Sequence, residues 1–404
     1  MSEWRKLPLK EITVKIGSGS TPTGGSGAYK ETGVSLIRSQ NVLDFSFTNN
    51  GLAFIDEEQA HALRNVIVEP QDVLLNITGD SVARCCSAPR EWLPARVNQH
   101  VAIIRANPKH LDSLFLKYSL ISIKDELLSL SEIGGTRNAL TKSMLENLKL
   151  FVPSVIEQKA IASVLSSLDD KIDLLHRQNK TLESMAETLF RQWFDVDSND
   201  EWQEKNVLDI FTLVGGGTPK TSVAEYWTDE IPWISGGDIS AAHQGYLYST
   251  EKSISLAGLQ NSSAKLLPKN STVISARGTV GKYALLARDM AFSQSNYGIV
   301  SKIGSYPFFI YLLVGFIVDD LLTAAYGSVF DTITTRTFES VNLKFPSLNS
   351  IEKFNEEISP IFSKKETNTQ QIKTLENLRD TLLPKLMNGE VRVQYAEEAI
   401  ASVA

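Results

Sequence analysis

The sequence predicts an α+β protein in which two similar globular domains are joined by two long antiparallel helices that form a coiled coil. Three observations support this prediction. The chain repeats itself at a spacing of about 195 residues. Each repeat closes with a long series of apolar residues at coiled-coil spacing. The body of each repeat contains short β-rich segments bounded by Gly, Asp, Asn and Pro. The fold is therefore predicted to have an internal pseudo-two-fold repeat.

The glycine-rich turn of the second repeat, "LVGGGTPKTS" at 213–222, does not fit a phosphate-binding loop. A P-loop has one glycine directly before its lysine and another five residues earlier. Here Pro219 precedes Lys220 and Val214 occupies the earlier position, so both glycines are missing. The first repeat carries a similar turn, "KIGSGSTPTGG", at 15–25. We interpret the two as equivalent turns that enter equivalent domains.

The repeat continues along both halves of the chain. The Thr-Pro pairs of the two turns, at Thr21 and Thr218, lie 197 residues apart. "DSVAR" (80–84) aligns with "GTVGK" (278–282) at a spacing of 198, and "KTLESM" aligns with "KTLENL" near the ends of the repeats at 193. Loop-length changes produce such a small drift, so one unit occurs twice.

The long apolar seams predict two paired helices. Both begin after a Pro-Ser pair in which the serine is a suitable N-cap. About forty residues make each helix roughly 60 Å long. Packing of each helix on its own domain is the alternative, but a domain of about 150 residues cannot bury so long a seam. The first seam comprises Ile161, Leu165, Leu168, Ile172, Leu175, Asn179, Leu182, Ala186, Leu189 and Trp193.

The second seam lies 193 residues later and has polar residues in its middle, at Lys365, Asn368 and Arg379. Two matched helices can bury each other, and paired polar positions fix their register. Antiparallel pairing predicts that Ile161 lies near Leu386. The predicted boundaries are a first domain at 1–153, a helix at 154–196, a second domain at 197–346, a second helix at 347–390 and a tail at 391–404.

Composition restricts the class of protein. The chain has 404 residues, with 40 Lys and Arg against 47 Asp and Glu, a net charge of −7. Residues 1–153 carry 17 basic and 16 acidic side chains, and 154–200 carry 5 and 9. This balance excludes a uniformly cationic surface, so contact with a nucleic acid requires local patches or a basic partner.

Localisation in the cytoplasm is expected. The N-terminal "MSEWRKLPLK" lacks the apolar core of a signal peptide, and the longest apolar run, at 308–318, is shorter than the roughly twenty residues of a membrane span. Cys85 and Cys86 are adjacent, so they provide neither a disulfide framework nor a metal-ligand spacing.

Each domain is also predicted to carry loops rich in side chains that suit base edges and phosphates. For any single residue a solvated turn is the simpler interpretation, but loops at corresponding positions in both halves favour a shared binding surface. The DNA-binding candidates are Arg38, Gln40, Asn41, Asn98, Gln99, His100, Arg137 and Asn138 in the first domain and Ser235, Asp238, Arg277, Lys282, Gln294, Ser295, Asn296 and Arg336 in the second.

Sequence motifs for catalysis are missing: there is no H-E-x-x-H, no G-x-S-x-G and no G-x-G-x-x-G after a strand. We therefore expect a recognition protein without catalytic, metal or cofactor residues of its own. A protein-interaction scaffold without a DNA role, or a small enzyme with an unrecognised site, are the competing interpretations.

The junction "LFVPSVIEQKAIASVLSSLDDKIDLLHRQNKTLESMAETLFRQWF" resembles the central conserved region of specificity subunits of type I restriction-modification enzymes. It carries Pro153, Glu157-Gln158-Lys159, Leu168-Asp169 and Ile172. The closing "LLPKLMNGEVRV" is similar to the C-terminal segment of that family. The second helix departs from the pattern, with "SIEKF" in place of the Glu-Gln-Lys segment and with Pro360, which is expected to kink it.

The resemblance implies two target-recognition domains, each recognising one half of a split, asymmetric DNA sequence, with a helical spacer that sets the gap. It also implies two methyltransferase subunits that bind S-adenosylmethionine and methylate adenine, and two restriction subunits that use ATP and Mg for cleavage. A related possibility is the recognition subunit of a system that fuses methylation and cleavage in another chain.

Overall fold

A computed structural model describes residues 4–22, 24–132, 138–194, 202–326, 332–391 and 393. The chain divides into two compact units. Unit 1 comprises Met1–Leu174 and Ile372–Ala404, and unit 2 comprises Leu175–Gln371. Each unit contains a globular part and segments of two long helices.

Unit 1 contains one two-stranded and two four-stranded sheets among its described residues. Its strands are β1 (Arg5–Pro8), β2 (Thr13–Ser18), β3 (Val34–Ile37), β4 (Ala53–Ile55), β5 (Ile67–Val68), β6 (Val73–Asn76), β7 (Cys85–Ser87), β8 (Ala95–Val97), β9 (Val101–Ala106) and β10 (Lys149–Val152). Its helices are α1 (Leu9–Ile12), α2 (Glu57–Ala62), α3 (Ser113–Ser122), α4 (Lys124–Glu132), α5 (Lys142–Asn147) and the first half of α6 (Val155–Trp193). The strand orders are β1-β10, β2-β9-β6-β7 and β4-β3-β8-β5.

Unit 2 is built in the same order. Its strands are β11 (Gln203–Asn206), β12 (Phe211–Gly215), β13 (Ile231–Ile234), β14 (Tyr246–Leu247), β15 (Lys252–Ile254), β16 (Leu266–Leu267), β17 (Thr272–Ser275), β18 (Tyr283–Leu286), β19 (Met290–Phe292), β20 (Asn296–Ser301) and β21 (Asn342–Phe345). Its helices are α7 (Val207–Ile210), α8 (Gly236–Ala241), α9 (Leu256–Gln260), α10 (Pro307–Ala325), α11 (Thr335–Glu339) and most of α12 (Leu348–Met387). The strand orders are β11-β21, β12-β20-β17-β18-β14 and β15-β13-β19-β16.

The sheet topology confirms the internal repeat. The order β2-β9-β6-β7 corresponds to β12-β20-β17-β18, and β4-β3-β8-β5 corresponds to β15-β13-β19-β16. In the second of these sheets in each unit, one parallel pair lies between antiparallel neighbours: β3 with β8, where Ile37 aligns with Val97, and β13 with β19, where Ile234 aligns with Phe292. The α+β class and the duplicated domain predicted from the sequence are therefore correct.

The long helices α6 and α12 run antiparallel in unit 2. Asn368 Nδ2 donates to Asn179 Oδ1 at 3.0 Å, and Lys365 pairs with Glu183 at 2.9 Å, so the residue number falls along α12 as it rises along α6. Further along, Trp193 Nε1 donates to Glu357 at 3.0 Å. The polar interruptions of the second seam thus meet polar partners, which specify the register.

The predicted helix starts are also correct. Ser154 Oγ accepts the N–H of Glu157 at 3.3 Å, and Ser347 Oγ accepts the N–H of Ser350 at 3.2 Å. Each serine satisfies one of the free N–H groups at the first turn of a helix. Pro360 lies inside α12 and does not end the helix.

In unit 1 a buried polar network fixes the helices to the globular part. Asp169 of α6 accepts hydrogen bonds from Lys117 at 2.9 Å, Tyr118 at 2.6 Å and Arg379 at 3.2 Å. The Arg379 guanidinium also lies 3.6 Å above the ring of Phe45. Lys117 is only 4% exposed, so its charge depends on Asp169 for compensation.

Gln158, from the Glu-Gln-Lys segment, is fully buried and makes three hydrogen bonds to the backbone of unit 1. Its Oε1 accepts the N–H of Asp112 at 2.8 Å, and its Nε2 donates to the carbonyls of His110 and Pro153 at 3.0 and 2.9 Å. The residue 193 positions later is the buried Ile351, so the departure noted in the second helix replaces a polar contact with an apolar one.

Aromatic packing takes the place of the polar network in unit 2. Phe362, 193 residues after Asp169, stacks on Phe308 at a centroid distance of 4.4 Å. Phe190 and Phe354, on α6 and α12, pack edge to face at 5.8 Å within the same core. Burying a side chain of this size contributes about 1.5–3 kcal/mol.

Helix α10 is long and apolar enough, by length and composition, to cross a bilayer. Half of the residues in its apolar stretch of 18 residues are buried inside the protein, and Phe309, Leu313 and Leu321 belong to the core of unit 2. A core helix meets the same criteria, and α10 packs as one.

Candidate nucleic-acid interface

Four segments of unit 1 meet where β3 and β6 end and β7 and β9 begin. We call residues 38–41, 77–84, 98–100 and 138–141 loop cluster 1. Backbone hydrogen bonds to carbonyl oxygens join them. The Asn98 N–H donates to the carbonyl of Ile37 at 3.0 Å, the Ile77 N–H to that of His100 at 2.9 Å, and the Leu140 N–H to that of Ile77 at 2.8 Å. The loops are therefore held as one surface.

Unit 2 repeats this arrangement. Loop cluster 2 comprises residues 235–238, 276–282, 293–295 and 332–336. The N–H of Ser293 donates to the carbonyl of Ile234 at 2.9 Å, the N–H of Ala276 to the carbonyl of Ser295 at 3.0 Å, and the N–H of Ile333 to the carbonyl of Ala276 at 3.1 Å. The structure thus brings together, in each unit, loops that the sequence singled out at corresponding positions. Contact of individual residues with DNA stays a prediction, and Arg137 lies outside the described residues.

A cleft of about 900 Å³ opens on loop cluster 1. His100 contributes to its lining, and its Nδ1 lies 2.5 Å from Thr78 Oγ1. The exposed Gln99 contacts the ring of His100 through Nε2 at 3.1 Å and accepts a hydrogen bond from Thr21. The other lining residues are Ser39, Gln40, Gly79, Asp80, Ser81, Arg84, Asn138 and Ala139.

Arg38 is oriented by the protein itself. Its guanidinium donates to the carbonyl of Gly51 and lies 5.2 Å from the ring centroid of Tyr29. Gln40 Nε2 donates to the same carbonyl at 3.1 Å. Both side chains therefore reach the surface with some of their N–H groups already hydrogen-bonded within the protein.

Three predicted DNA contacts are buried amides and require revision. Asn41, Asn98 and Asn296 are 0%, 5% and 1% exposed. Asn41 Nδ2 donates to the carbonyls of Thr48 and Asn50 at 3.0 and 3.2 Å. Because a buried amide is costly unless it is hydrogen-bonded, these side chains hold the loops in place and do not face a ligand.

Ser235 and Asp238 also act within the protein, as the N-terminal capping box of α8. Asp238 Oδ2 accepts from the N–H and the hydroxyl of Ser235 at 2.8 and 2.6 Å, and its Oδ1 accepts from the N–H of Glu251 at 2.9 Å. Both carboxylate oxygens are occupied, so we assign this pair to loop support. Ser295 is half-buried, and its carbonyl accepts the N–H of Ala276.

The remaining candidates are solvent-facing. Arg277, Lys282, Gln294 and Arg336 in cluster 2 and Asn138 in cluster 1 are exposed. Within the described part of the chain their side chains form no hydrogen bond or ion pair. Free cationic and amide groups on a rigid surface are suited to phosphates and base edges.

Sequence reasoning missed the turn at 77–84, which contributes Thr78, Asp80 and Arg84 to cluster 1. The sequence does contain a signal for this turn, since "DSVAR" aligns with "GTVGK", the turn that provides the DNA-binding candidate Lys282 in the second domain. It also missed His243, whose pKa is lowered by burial and by the neighbouring Lys282.

Metal chemistry finds no support in the described ranges, where no group of three or more His, Cys, Asp or Glu side chains is arranged to hold an ion. Burial raises the pKa of the Cys86 thiol to about 12, so this cysteine is an unreactive core residue.

The chain therefore contains two copies of one domain, each with an equivalent loop cluster. The family model described as "Type I restriction modification DNA specificity domain" matches residues 1–184 and again 199–378. The chain belongs to this family. Its resemblance to specificity subunits, first drawn from the junction motif, is thereby confirmed.

Two curated relatives align over almost the whole chain. The MjaIX specificity subunit of a type I restriction enzyme from Methanocaldococcus jannaschii is 27% identical, covering 97% of this chain and 94% of that protein. The HindI specificity subunit from Haemophilus influenzae is 24% identical, covering 97% of this chain and 100% of that protein.

The fold is that of a solved S subunit from a type I restriction-modification system of M. genitalium. The TM-score is 0.61 at 14% sequence identity, over 95% of this chain and 96% of that one.

Proposed function

We propose that this chain is the DNA-recognition subunit of a type I restriction-modification complex, and that it has no catalytic function itself. Each unit recognises one half of a bipartite, asymmetric target through its loop cluster, and the paired helices α6 and α12 set the spacing between the halves. The complex thereby directs adenine methylation and ATP-dependent cleavage by partner subunits to one sequence.

The observation that carries this proposal is the equivalence of the two loop clusters. The same three backbone hydrogen bonds assemble both, yet the solvent-facing side chains differ between them: Gln40, Arg84 and Asn138 in one, Arg277, Lys282 and Arg336 in the other. A common framework with different exposed groups is what the recognition of two different half-sites requires.

Partner subunits are expected from the family to which the chain belongs, and the charge of the chain supports this expectation. The protein has 40 basic against 47 acidic side chains, a net charge of −7 that opposes binding to DNA phosphates outside local basic patches. We propose that two methyltransferase subunits supply much of this contact and bind S-adenosylmethionine, and that two restriction subunits bind ATP and Mg. Assembly of this kind takes place in the cytoplasm.

The test is DNA binding by the full chain in complex with the methyltransferase subunit of its own system. The target is first identified by mapping methylated adenines in host DNA. We expect binding to that sequence to exceed binding to random DNA by at least about 10³-fold at a stated salt concentration. Equal affinity for both would contradict DNA recognition and favour a protein-interaction scaffold.

A set of variants connects this binding to the loop clusters. Replacing Arg277, Lys282 and Arg336 together by alanine is expected to remove specific binding. The matched control is Arg288→Ala, an exposed arginine beyond the opposite end of β18. Equal loss in the control would show that general charge, and not loop cluster 2, carries the affinity.

A further inference from the structure

The turns at 77–84 and 276–282 share the backbone geometry of their C-terminal parts but carry opposite charges at their tips, and the first turn is one residue longer. Arg84 N–H donates to Ser81 at 3.2 Å, and Lys282 N–H donates to Thr279 at 3.3 Å. One residue earlier, Ala83 and Gly281 both have positive φ, at 68° and 82°. Residues 81–84 therefore correspond one to one to 279–282, and the extra residue of the first turn lies at its tip, among residues 78–80.

Each tip combines one charged residue with one glycine in the left-handed region. In unit 1 the order is Gly79, with φ of 75°, followed by Asp80. In unit 2 the order is Arg277 followed by Gly278, with φ of 80°. The tip of loop cluster 1 thus presents a hydrogen-bond acceptor, and the tip of loop cluster 2 presents a donor.

Among the described residues, Asp80 has no partner that compensates its charge. It is exposed on the cleft of loop cluster 1, and in the part of the chain that the structure describes it makes no hydrogen bond or ion pair. Arg84 lines the same cleft without pairing with it. A carboxylate beside DNA is repelled by the phosphates, and in the major groove the groups that can compensate it are the exocyclic amines of cytosine and adenine.

The turn is rigid enough to aim this carboxylate. Asn76 is fully buried, and its Nδ2 donates to the carbonyls of Ser39 and Val42 at 2.8 and 3.3 Å. Val82 and Ala83 are 3% and 0% exposed, so the base of the turn belongs to the core. A fixed backbone confines Asp80 to few positions, which a specific base contact requires.

We propose that Asp80 and Arg277 are specificity-determining residues of opposite polarity. Asp80 accepts a hydrogen bond from the exocyclic amine of a cytosine or adenine in one half-site, and Arg277 donates to the acceptors of a guanine in the other. This inference rests on the proposed function, because it assigns base contacts to the two loop clusters.

The experiment combines Asp80→Ala with the removal of one amine from the DNA, using the full chain in complex with its methyltransferase subunit. Single-base variants of the target first locate the position at which Asp80→Ala reduces discrimination. At that position, adenine is replaced by purine or cytosine by 2-pyrimidinone, which lack the exocyclic amine. The wild-type complex should lose about 10-fold or more in affinity, and the Asp80→Ala complex should show no further loss.

Two controls separate this result from general charge effects. Glu91→Ala removes an exposed carboxylate beyond the opposite end of β7 and should leave the amine dependence intact. Arg277→Ala should relax a guanine preference in the other half-site only. Retention of the full amine dependence in Asp80→Ala, or a uniform rise in its affinity for every sequence, would overturn the proposal. A wild-type complex without sequence preference would instead contradict the proposed function itself.

Discussion

Polar residues in the two loop clusters are of two kinds: those that hold the loops and those that face solvent. Asn41 and Asn296 are buried and hydrogen-bonded, whereas Arg277 and Lys282 are exposed and without partners in the described ranges. The sequence identified the loops but did not separate these two kinds. An asparagine in a turn can bond its own backbone or a ligand, and only the packing around it decides which.

Arg277 and Lys282 lie on one turn, and they should contribute differently to DNA binding. Arg277→Ala is expected to cost about 1–3 kcal/mol on the target and to relax discrimination at one base pair, because a guanidinium can contact guanine in a bidentate manner. Lys282→Ala should weaken binding to all sequences and lower the salt slope by about one. Binding to target and single-base variants over a salt series measures both effects.

The expected loss of DNA-binding free energy is smaller for Arg38→Ala than for Arg277→Ala, since the guanidinium of Arg38 already donates to the carbonyl of Gly51. If Arg277→Ala weakens target and unrelated DNA equally, the arginine contacts the backbone and the assignment of a base contact is wrong.

The stability of unit 2 should depend on pH through His243. Burial, followed by the nearby Lys282, lowers the pKa of this ring below its ordinary value of 6.5. The unfolded chain therefore takes up the proton at a higher pH than the folded chain, so stability falls as pH decreases below about 6.5 and through the lowered pKa. His243→Gln is expected to flatten this acid dependence in denaturant titrations between about pH 7 and pH 5.

His176→Gln, at an exposed position of α6, is the matched control and should keep the wild-type dependence. An acid dependence that persists unchanged in His243→Gln would assign it to other groups.

At the level of secondary structure, the coiled-coil seam was the most predictable element. Ile161, Leu165 and Leu168 are at most 3% exposed, as the spacing indicated. The cause is local, because heptad spacing alone determines which side of a helix is apolar. The contacts of α6 with the globular part were not predictable: Asp169, next to the seam residue Leu168, pairs with Lys117, which is 52 residues away in the chain, and the pair forms only when α3 packs on α6.

Asp169→Asn should destabilise unit 1 strongly. It removes the carboxylate that compensates Lys117, which is 4% exposed, whereas Arg379 keeps its ion pair with Asp380 at 2.9 Å. Leaving the buried Lys117 ammonium without a counter-ion costs about 3–5 kcal/mol. Chemical denaturation of the wild type and the variant measures the change, and Asp170→Asn on the same helix is the control.

A loss in Asp169→Asn no greater than that in Asp170→Asn would mean that the network contributes little. Lys117→Met combined with Asp169→Leu and Arg379→Met is expected to recover much of the stability, because an apolar set of similar volume removes the uncompensated charge.

For the whole molecule, the net charge of −7 predicts an unusual salt dependence. The isolated chain should bind DNA with a small slope of log affinity against log salt concentration, since few cations replace counterions. Addition of the methyltransferase subunit is expected to steepen the slope. Fluorescence anisotropy over a salt series, with and without that subunit, gives the two slopes.

Equal slopes in the two titrations would contradict a supply of phosphate contacts by the partner.

The duplication itself was evident from the sequence, because offsets between 193 and 198 persist across the chain. The orientation of individual loop side chains was not, because it depends on contacts between segments far apart in sequence.

The different chemistry at positions 169 and 362 has a consequence for folding. A chain with two structurally similar halves is at risk of kinetic trapping, in which one nascent domain docks on the helix segment that belongs to the other. A domain carrying Lys117 would bury its ammonium against the ring of Phe362, and the aromatic group around Phe308 would meet the carboxylate of Asp169. Both mismatches leave a charge uncompensated in an apolar environment. The second repeat has a phenylalanine where the first has an aspartate, and this difference thus disfavours docking of either domain on the wrong helix segment.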